Sequence, residues 1–175
     1  MWGAYGYKPE EDQLRVEVAP QPAEHVEWLQ FAFDDAGPSS TTLSLRWEKV
    51  RVPVKIDVDV NARVLADARA AIAAAKADDW RTPYRAASWA HDNNLAPEEV
   101  GQWAQTAWKA KENFYTLSLA ARLSQKAGNT QEAVAQMTKA VALGKADKDI
   151  NAELVANNEK LIAEWTASAG KGKKK

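Results

Sequence analysis

The side chains that could do chemistry in this chain are few and poorly grouped. Histidine occurs twice, at His25 and His91, and cysteine not at all. Without a thiolate there is no disulfide, no Cys nucleophile and no sulfur-ligated metal. His25 and Glu27 share one face of an alternating stretch, and would need a third ligand from elsewhere to hold a metal ion. His91 falls where a helical pattern calls for a packing aromatic, which makes it a half-buried structural residue rather than a ligand. The paired acids Asp34-Asp35 and Asp78-Asp79 sit beside turns, where carboxylates cap helices and shape turns. Adjacent acids on a strand point to opposite faces and do not form an acid–base couple. Asp57 and Asp59 share a strand face, which reads as a solvated face before it reads as a cation site. No Gly-rich phosphate loop, Gly-x-Ser-x-Gly elbow or zinc-ligand spacing occurs. The expectation is a protein that is not an enzyme, with no catalytic residue, no metal site and no cofactor.

The elements that position these residues change character part-way along the chain. Residues 1–9, MWGAYGYKP, lack periodicity and carry Trp2, Tyr5 and Tyr7 as aromatics in need of a packing partner. Four alternating runs follow. Leu14, Val16 and Val18 mark the first, and Leu29, Phe31 and Phe33 the second. Leu43, Leu45 and Trp47 mark the third, and the fourth alternates from Val50 to Val58, with Pro53 at an edge or bulge. Only Glu48-Lys49 separates the last two, which predicts a hairpin. Near Asn61 the apolar period shifts from 2 to about 3.6. Helices are predicted over 62–77 with Asn61 as N-cap, and over 84–93 after Thr82-Pro83. Further helices follow Ala96-Pro97 to Ala110, then two more within 114–145, and a last one over 149–167. The fold class is thus α+β, a short antiparallel meander of about four strands followed by an array of about six helices. The expected domains are 1–60, 61–168 and a disordered Lys-rich tail 169–175.

Bulk properties narrow the function classes. The 175 residues are 46% hydrophobic and 27% charged, with a net charge of −1, and the helices mix both signs. That balance offers no basic stripe for nucleic acid. No apolar run approaches the ~20 residues of a membrane span, and no basic segment precedes an apolar core as in an export signal. The eight Trp read first as core filler and only second as a binding surface.

Residues 114–145 place small residues where two helices must cross: Ala120 and Ala121 before a Gly128-Asn129 turn, then Ala133, Met137 and Ala140. Sliding back by about 33 residues finds a poorer copy in Ala87, Ser88, Leu95, Val100, Ala104 and Ala107. The pattern resembles a tetratricopeptide array, with the flanking helices as caps. By that resemblance the first helix of each pair lines a concave groove, exposing Arg85, Trp89, Asp92, Tyr115, Ser118, Arg122 and Gln125 to a peptide or protein partner. Trp89 and Tyr115 have an alternative use in packing against the sheet or a capping helix.

The N-terminal wording WGAYGY, DQLRVEV, EHVEWLQFAFDD and TTLSLRWEKVRVPVKI resembles the C-terminal part of an uncharacterised bacterial family, DUF2911, over roughly residues 2–60. The resemblance brings no reaction with it. It implies a longer β segment ahead of WGAYGY in other members, often with an export signal, and hence an exported or periplasmic parent. The sheet here would then be incomplete, with an apolar face or edge to be covered by the helices or by another chain, self-association included. Two functions fit these residues: an interaction module holding a peptide in the helical groove, or a small-molecule or carbohydrate binder built on the aromatic sheet.

Overall fold

A computed structural model describes residues 6–171. Trp2, Tyr5 and the final lysines lie outside the described residues. The chain separates into two compact units, Met1–Arg63 and Val64–Lys175.

The first unit is built on two strands, β1 (Gln21–Asp34) and β2 (Ser40–Asp57), paired antiparallel, where alternation predicts four. Phe31, Ala32, Phe33 and Asp34 lie opposite Leu45, Ser44, Leu43 and Thr42. The run 14–18 alternates but stays outside the sheet, and Leu14 is 78% exposed. An alternating pattern becomes a strand only where a neighbour satisfies its backbone groups. The expected third and fourth runs are one strand, since β2 continues through Glu48-Lys49. It is nevertheless strongly bent. The Val58 amide, just past the end of β2, donates to the Ser39 carbonyl, just before its start, at 2.8 Å. Arg51 Nε likewise donates to Ser44 Oγ at 2.9 Å. A straight strand of 18 residues would hold those ends tens of ångströms apart (at about 3.3 Å per residue). Glu48, with φ 53°, takes a left-handed conformation in the middle of the strand. In β1, residues 21–30 lie opposite the shorter stretch 46–51, through two register shifts.

Six helices follow: α1 (Val60–Ala74), α2 (Arg81–Asp92), α3 (Pro97–Ala110), α4 (Phe114–Lys126), α5 (Thr130–Ala146) and α6 (Ala152–Lys171). Their starts are set by side-chain acceptors for the first orphan amides. The acceptor at α1 is Asp59, whose Oδ1 takes the Ala62 amide at 2.9 Å, so Asn61 is not the cap. At α2, Asp79 takes the Arg81 and Thr82 amides and the Thr82 hydroxyl, which displaces Thr82 from the expected role. Asn113 and Thr116 form a reciprocal box at α4, with Asn113 Oδ1 accepting from Thr116 N at 3.1 Å and Thr116 Oγ1 from Asn113 N at 3.0 Å. Gly128, with φ 83°, makes the turn between α4 and α5 that a side chain would strain.

Packing is organised around α4. Its Leu119 joins Ala87, Ala90, Val100, Trp103 and Ala104 in one core, with Leu65, Ala68 and Ile72 of α1 against it. On its other side Phe114, Leu117 and Ala121 pack with Met137, Ala140 and Val141 of α5 and Val155 of α6. The small residues admit close helix approach. Gly144 of α5 is the tightest case, since a Cβ there would lie 2.7 Å from Phe114 Cδ2 and 2.9 Å from Val155 Cγ2. The tryptophans do not all fill the core. Trp103 is buried, whereas Trp28, Trp47 and Trp108 are exposed.

Candidate functional site

In the helical unit α2, α4 and α6 each contribute one stripe to a shared cleft of about 500 Å³. His91 and Asp92 come from the last turn of α2, Asn94 from the turn after it, Arg122, Gln125 and Lys126 from α4, and Leu161 and Trp165 from α6. Arg122 Nη1 lies 3.8 Å from Asp92 Oδ1, a loose ion pair of a half-exposed kind that contributes little to stability. Asn158 fixes α6 on this face by donating to Ser118 Oγ at 2.7 Å. The Gln125 amide oxygen is buried and without a hydrogen-bond partner among the described residues. A buried amide oxygen left unpaired costs about 1–3 kcal/mol.

Of the groove residues expected from sequence, Asp92, Arg122 and Gln125 line this cleft. Ser118 is buried beneath α6, its hydroxyl donating to the Phe114 carbonyl at 2.6 Å while accepting from Asn158. Tyr115 stacks on Trp80 at 6.1 Å and lies 5.8 Å from Tyr84, within an aromatic cluster that Phe114 completes edge-on. Arg85 is exposed and does not line the cleft, and Trp89 packs into the core around Ala87 and Ala90. On α2 it is Tyr84 that meets α4, its ring 5.8 Å from Tyr115. Burial chiefly raises the Tyr84 pKa, with the Arg122 charge and a hydrogen bond with Ser88 opposing. Sequence reasoning missed His91, Asn94, Lys126, Leu161 and Trp165. The spacing of Leu161 and Trp165, one helical turn apart, carried the signal for α6.

The His91 ring is held below its ordinary pKa of 6.5, first by burial and then by the Lys126 and Arg122 charges, with Asp92 acting the other way. It is therefore a neutral imidazole near pH 7.

In the sheet unit charged side chains pair across and along the strands. Asp34 receives Arg46 Nη2 at 2.7 Å and Arg51 Nη2 at 3.1 Å. The Ser44 hydroxyl, then the Arg46 guanidinium, hold the Asp34 carboxyl below the usual carboxylate range. His25 Nε2 lies 3.2 Å from Glu48 across the sheet, and Asp57 lies 3.0 Å from Lys55. No group of three or more metal-capable side chains occurs among the described residues. No helix of the described residues is long and apolar enough to cross a membrane.

Residues 1–56 match the family described as "Protein of unknown function (DUF2911)". The likeness covers 56 of the chain's 175 residues. Neither the curated proteins nor the solved structures contain a match to the chain. Within the DUF2911 segment the sheet face opposite Asp34 is apolar and open. Phe31 is 68% exposed, Phe33 70% and Trp47 53%, beside Leu29 and Val50.

Proposed function

We propose that this chain is a non-enzymatic interaction module whose helical unit holds an extended segment of a partner protein in the cleft between α2, α4 and α6. The observation that carries this reading is the convergence of Arg122, Gln125 and the Trp165 ring in one open cleft. Arginine and tryptophan provide planar, amphipathic contact area for a partner segment. The burial pattern supports a tetratricopeptide-like arrangement. Ala87, Val100, Ala104 and Ala107 in the α2/α3 pair occupy the same roles as Ala121, Ala133, Met137 and Ala140 in the α4/α5 pair, and all eight are buried. On this reading α6 is the first helix of a further, unpaired repeat, and so shares the groove as well as closing the stack.

The test is selection of linear peptides from a display library on the intact chain, followed by titration of the selected peptides against Arg122→Glu and Gln125→Leu. Each variant is first checked for an unchanged circular dichroism spectrum. At least tenfold weaker binding by Arg122→Glu is expected. Equal affinity for both variants, or an empty selection, would overturn the groove assignment.

The exposed DUF2911 sheet face favours a second reading, self-association. From Leu29 to Phe33 and from Leu43 to Trp47 this face carries no charge, so two copies related by a twofold axis oppose it without like-charge repulsion. Sedimentation velocity of the wild-type chain against Phe31→Ser with Phe33→Ser decides it. A concentration-dependent dimer lost in the double variant is expected, and a monomer at all concentrations in both overturns it.

A further inference from the structure

The turn between α2 and α3 borders a second cavity, which shares His91, Asn94 and Lys126 with the proposed peptide cleft and has its own apolar walls. It measures about 350 Å³, at the small end of the range for ligand pockets. Leu95, Pro97, Val100 and Leu123 make its apolar walls, and His91, Asn94 and Lys126 stand among its lining. Three features of this cavity are unexplained by packing.

The first is Gly101. It lies inside α3, where glycine weakens a helix relative to alanine, yet a Cβ built there meets nothing within 4 Å. The protein's own packing therefore does not demand the glycine, and the space it leaves is part of the cavity. The second is the backbone of the turn. Asn94 at φ 55° is the ordinary left-handed residue that closes α2, with Leu95 N bonded to the Ala90 carbonyl at 2.8 Å and Asn94 N to the His91 carbonyl at 3.1 Å, whereas Ala96 at φ 43° takes the left-handed region at a cost. Strained turns of this kind collect at binding sites. The third is Lys126. Its ammonium donates to the neutral Asn94 Oδ1 at 2.9 Å and makes no ion pair among the described residues.

We infer that this cavity binds a small aliphatic carboxylate, with the chain lying over Gly101 between Leu95, Val100 and Leu123 and the carboxylate meeting Lys126. Charge complementarity selects this class: an apolar slot closed at one side by an uncompensated ammonium suits an amphipathic anion, and burial of the alkyl chain supplies the driving force. Neutral His91 beside it accepts a proton more readily once an anion is bound, because an opposite charge favours the imidazolium.

The probe is octanoate, titrated calorimetrically into the intact chain below its micellar range, with octan-1-ol as the uncharged control. Saturable one-to-one binding is expected for octanoate, with a weaker response to the alcohol. Lys126→Met is expected to weaken octanoate at least tenfold and the alcohol far less. Gly101→Leu, whose side chain enters the cavity, is expected to abolish both. Gly101→Ala serves as the folding control and is expected to raise the Tm. The His91 ring resonances should shift on octanoate addition and titrate at higher pH. Absence of saturable binding overturns the inference. So does binding that leaves His91 unmoved or that survives both Lys126→Met and Gly101→Leu, since the probe then sits elsewhere. Should Gly101→Leu weaken a selected peptide while octanoate fails to bind, the cavity serves a partner side chain and the carboxylate inference is wrong. Arg122 lines the peptide cleft and not this cavity, so the Arg122→Glu result for peptides separates failure of the one reading from failure of the other.

Discussion

Asn158 on α6 reaches across to Ser118 on α4, donating to its hydroxyl at 2.7 Å, and the Ser118 hydroxyl in turn donates a hydrogen bond to the Phe114 carbonyl at 2.6 Å. Ser118 is 5% exposed, so water does not replace a lost partner there. Asn158→Ala is expected to destabilise by about 1 kcal/mol, at the neutral hydrogen-bond scale, because Ser118 keeps its second partner. Ser118→Ala in the same background should cost less than it does alone. Urea unfolding of the two single variants and the double variant measures the coupling, and a coupling near zero would mean that α6 is held by apolar packing alone.

Gly144 tests how closely α5 and α6 pack. Alanine is the better helix former by about 1 kcal/mol, so an unconstrained site would gain stability from Gly144→Ala. Here the new methyl collides with Phe114 and Val155 side-chain carbons. Overpacking of this kind costs about 1–3 kcal/mol, which outweighs the propensity gain, and net destabilisation is expected. Phe114→Leu combined with Gly144→Ala should recover part of the loss. A higher Tm for Gly144→Ala alone would refute the close approach.

The helices were legible in the sequence because their punctuation is local: Pro97 at a first turn, Asn113 with Thr116, Gly128 at a turn. The α2 groove stripe was misplaced by one residue, and the reason lies in the turns. The turn at 93–96 is one residue longer than the turn at 127–129. A single repeat offset that aligns Val100 with Ala133 therefore aligns Ala87 with Ala120, whereas the buried partner of Ala87 is Ala121. That slip exchanged Ser88 for Trp89 and Tyr84 for Arg85 in the expected groove, a rotation of about 100° on a helix of 3.6 residues per turn. The strands were harder to read. Alternation states which face each residue takes, and it separated Asp34, Ser44 and Arg46 from the Phe31 face correctly. It does not state which run finds a neighbour, and the alternating run at 14–18 finds none in the sheet. Nor did Glu48-Lys49 carry a Gly or Asn to reveal a left-handed residue inside β2.

Asn113→Ala removes the acceptor for two amides at the start of α4, Tyr115 N and Thr116 N. Loss of an N-cap costs about 1 kcal/mol. Because α4 contributes to both helical cores, the loss should appear as a global drop in the unfolding midpoint of the helical unit, and not as fraying of one turn. Hydrogen exchange of the 114–117 amides separates the two outcomes. Asn113→Ser, which keeps a capping oxygen, is expected to restore most of the stability.

His91 predicts an acid limb to the stability of the helical unit. Burial, with Lys126 and Arg122 of α4, depresses its pKa below 6.5, and Asp92 on its own helix opposes the shift only in part. Between the folded pKa and 6.5 the unfolded chain binds a proton that the folded chain refuses. The stabilisation linked to the neutral ring is therefore complete above pH 6.5 and is lost as pH falls below it. Asp79, Glu99 and Glu112 act at lower pH. Hydrogen bonds from Thr82, Arg69 and Lys139 respectively are the largest causes lowering their pKa values, so their contributions persist until the pH falls through the carboxylate range. Denaturation midpoints measured from pH 7 to pH 5 should decline in the wild-type chain and flatten in His91→Gln. An identical slope in both would show that His91 is protonated as readily in the folded chain as in the unfolded one.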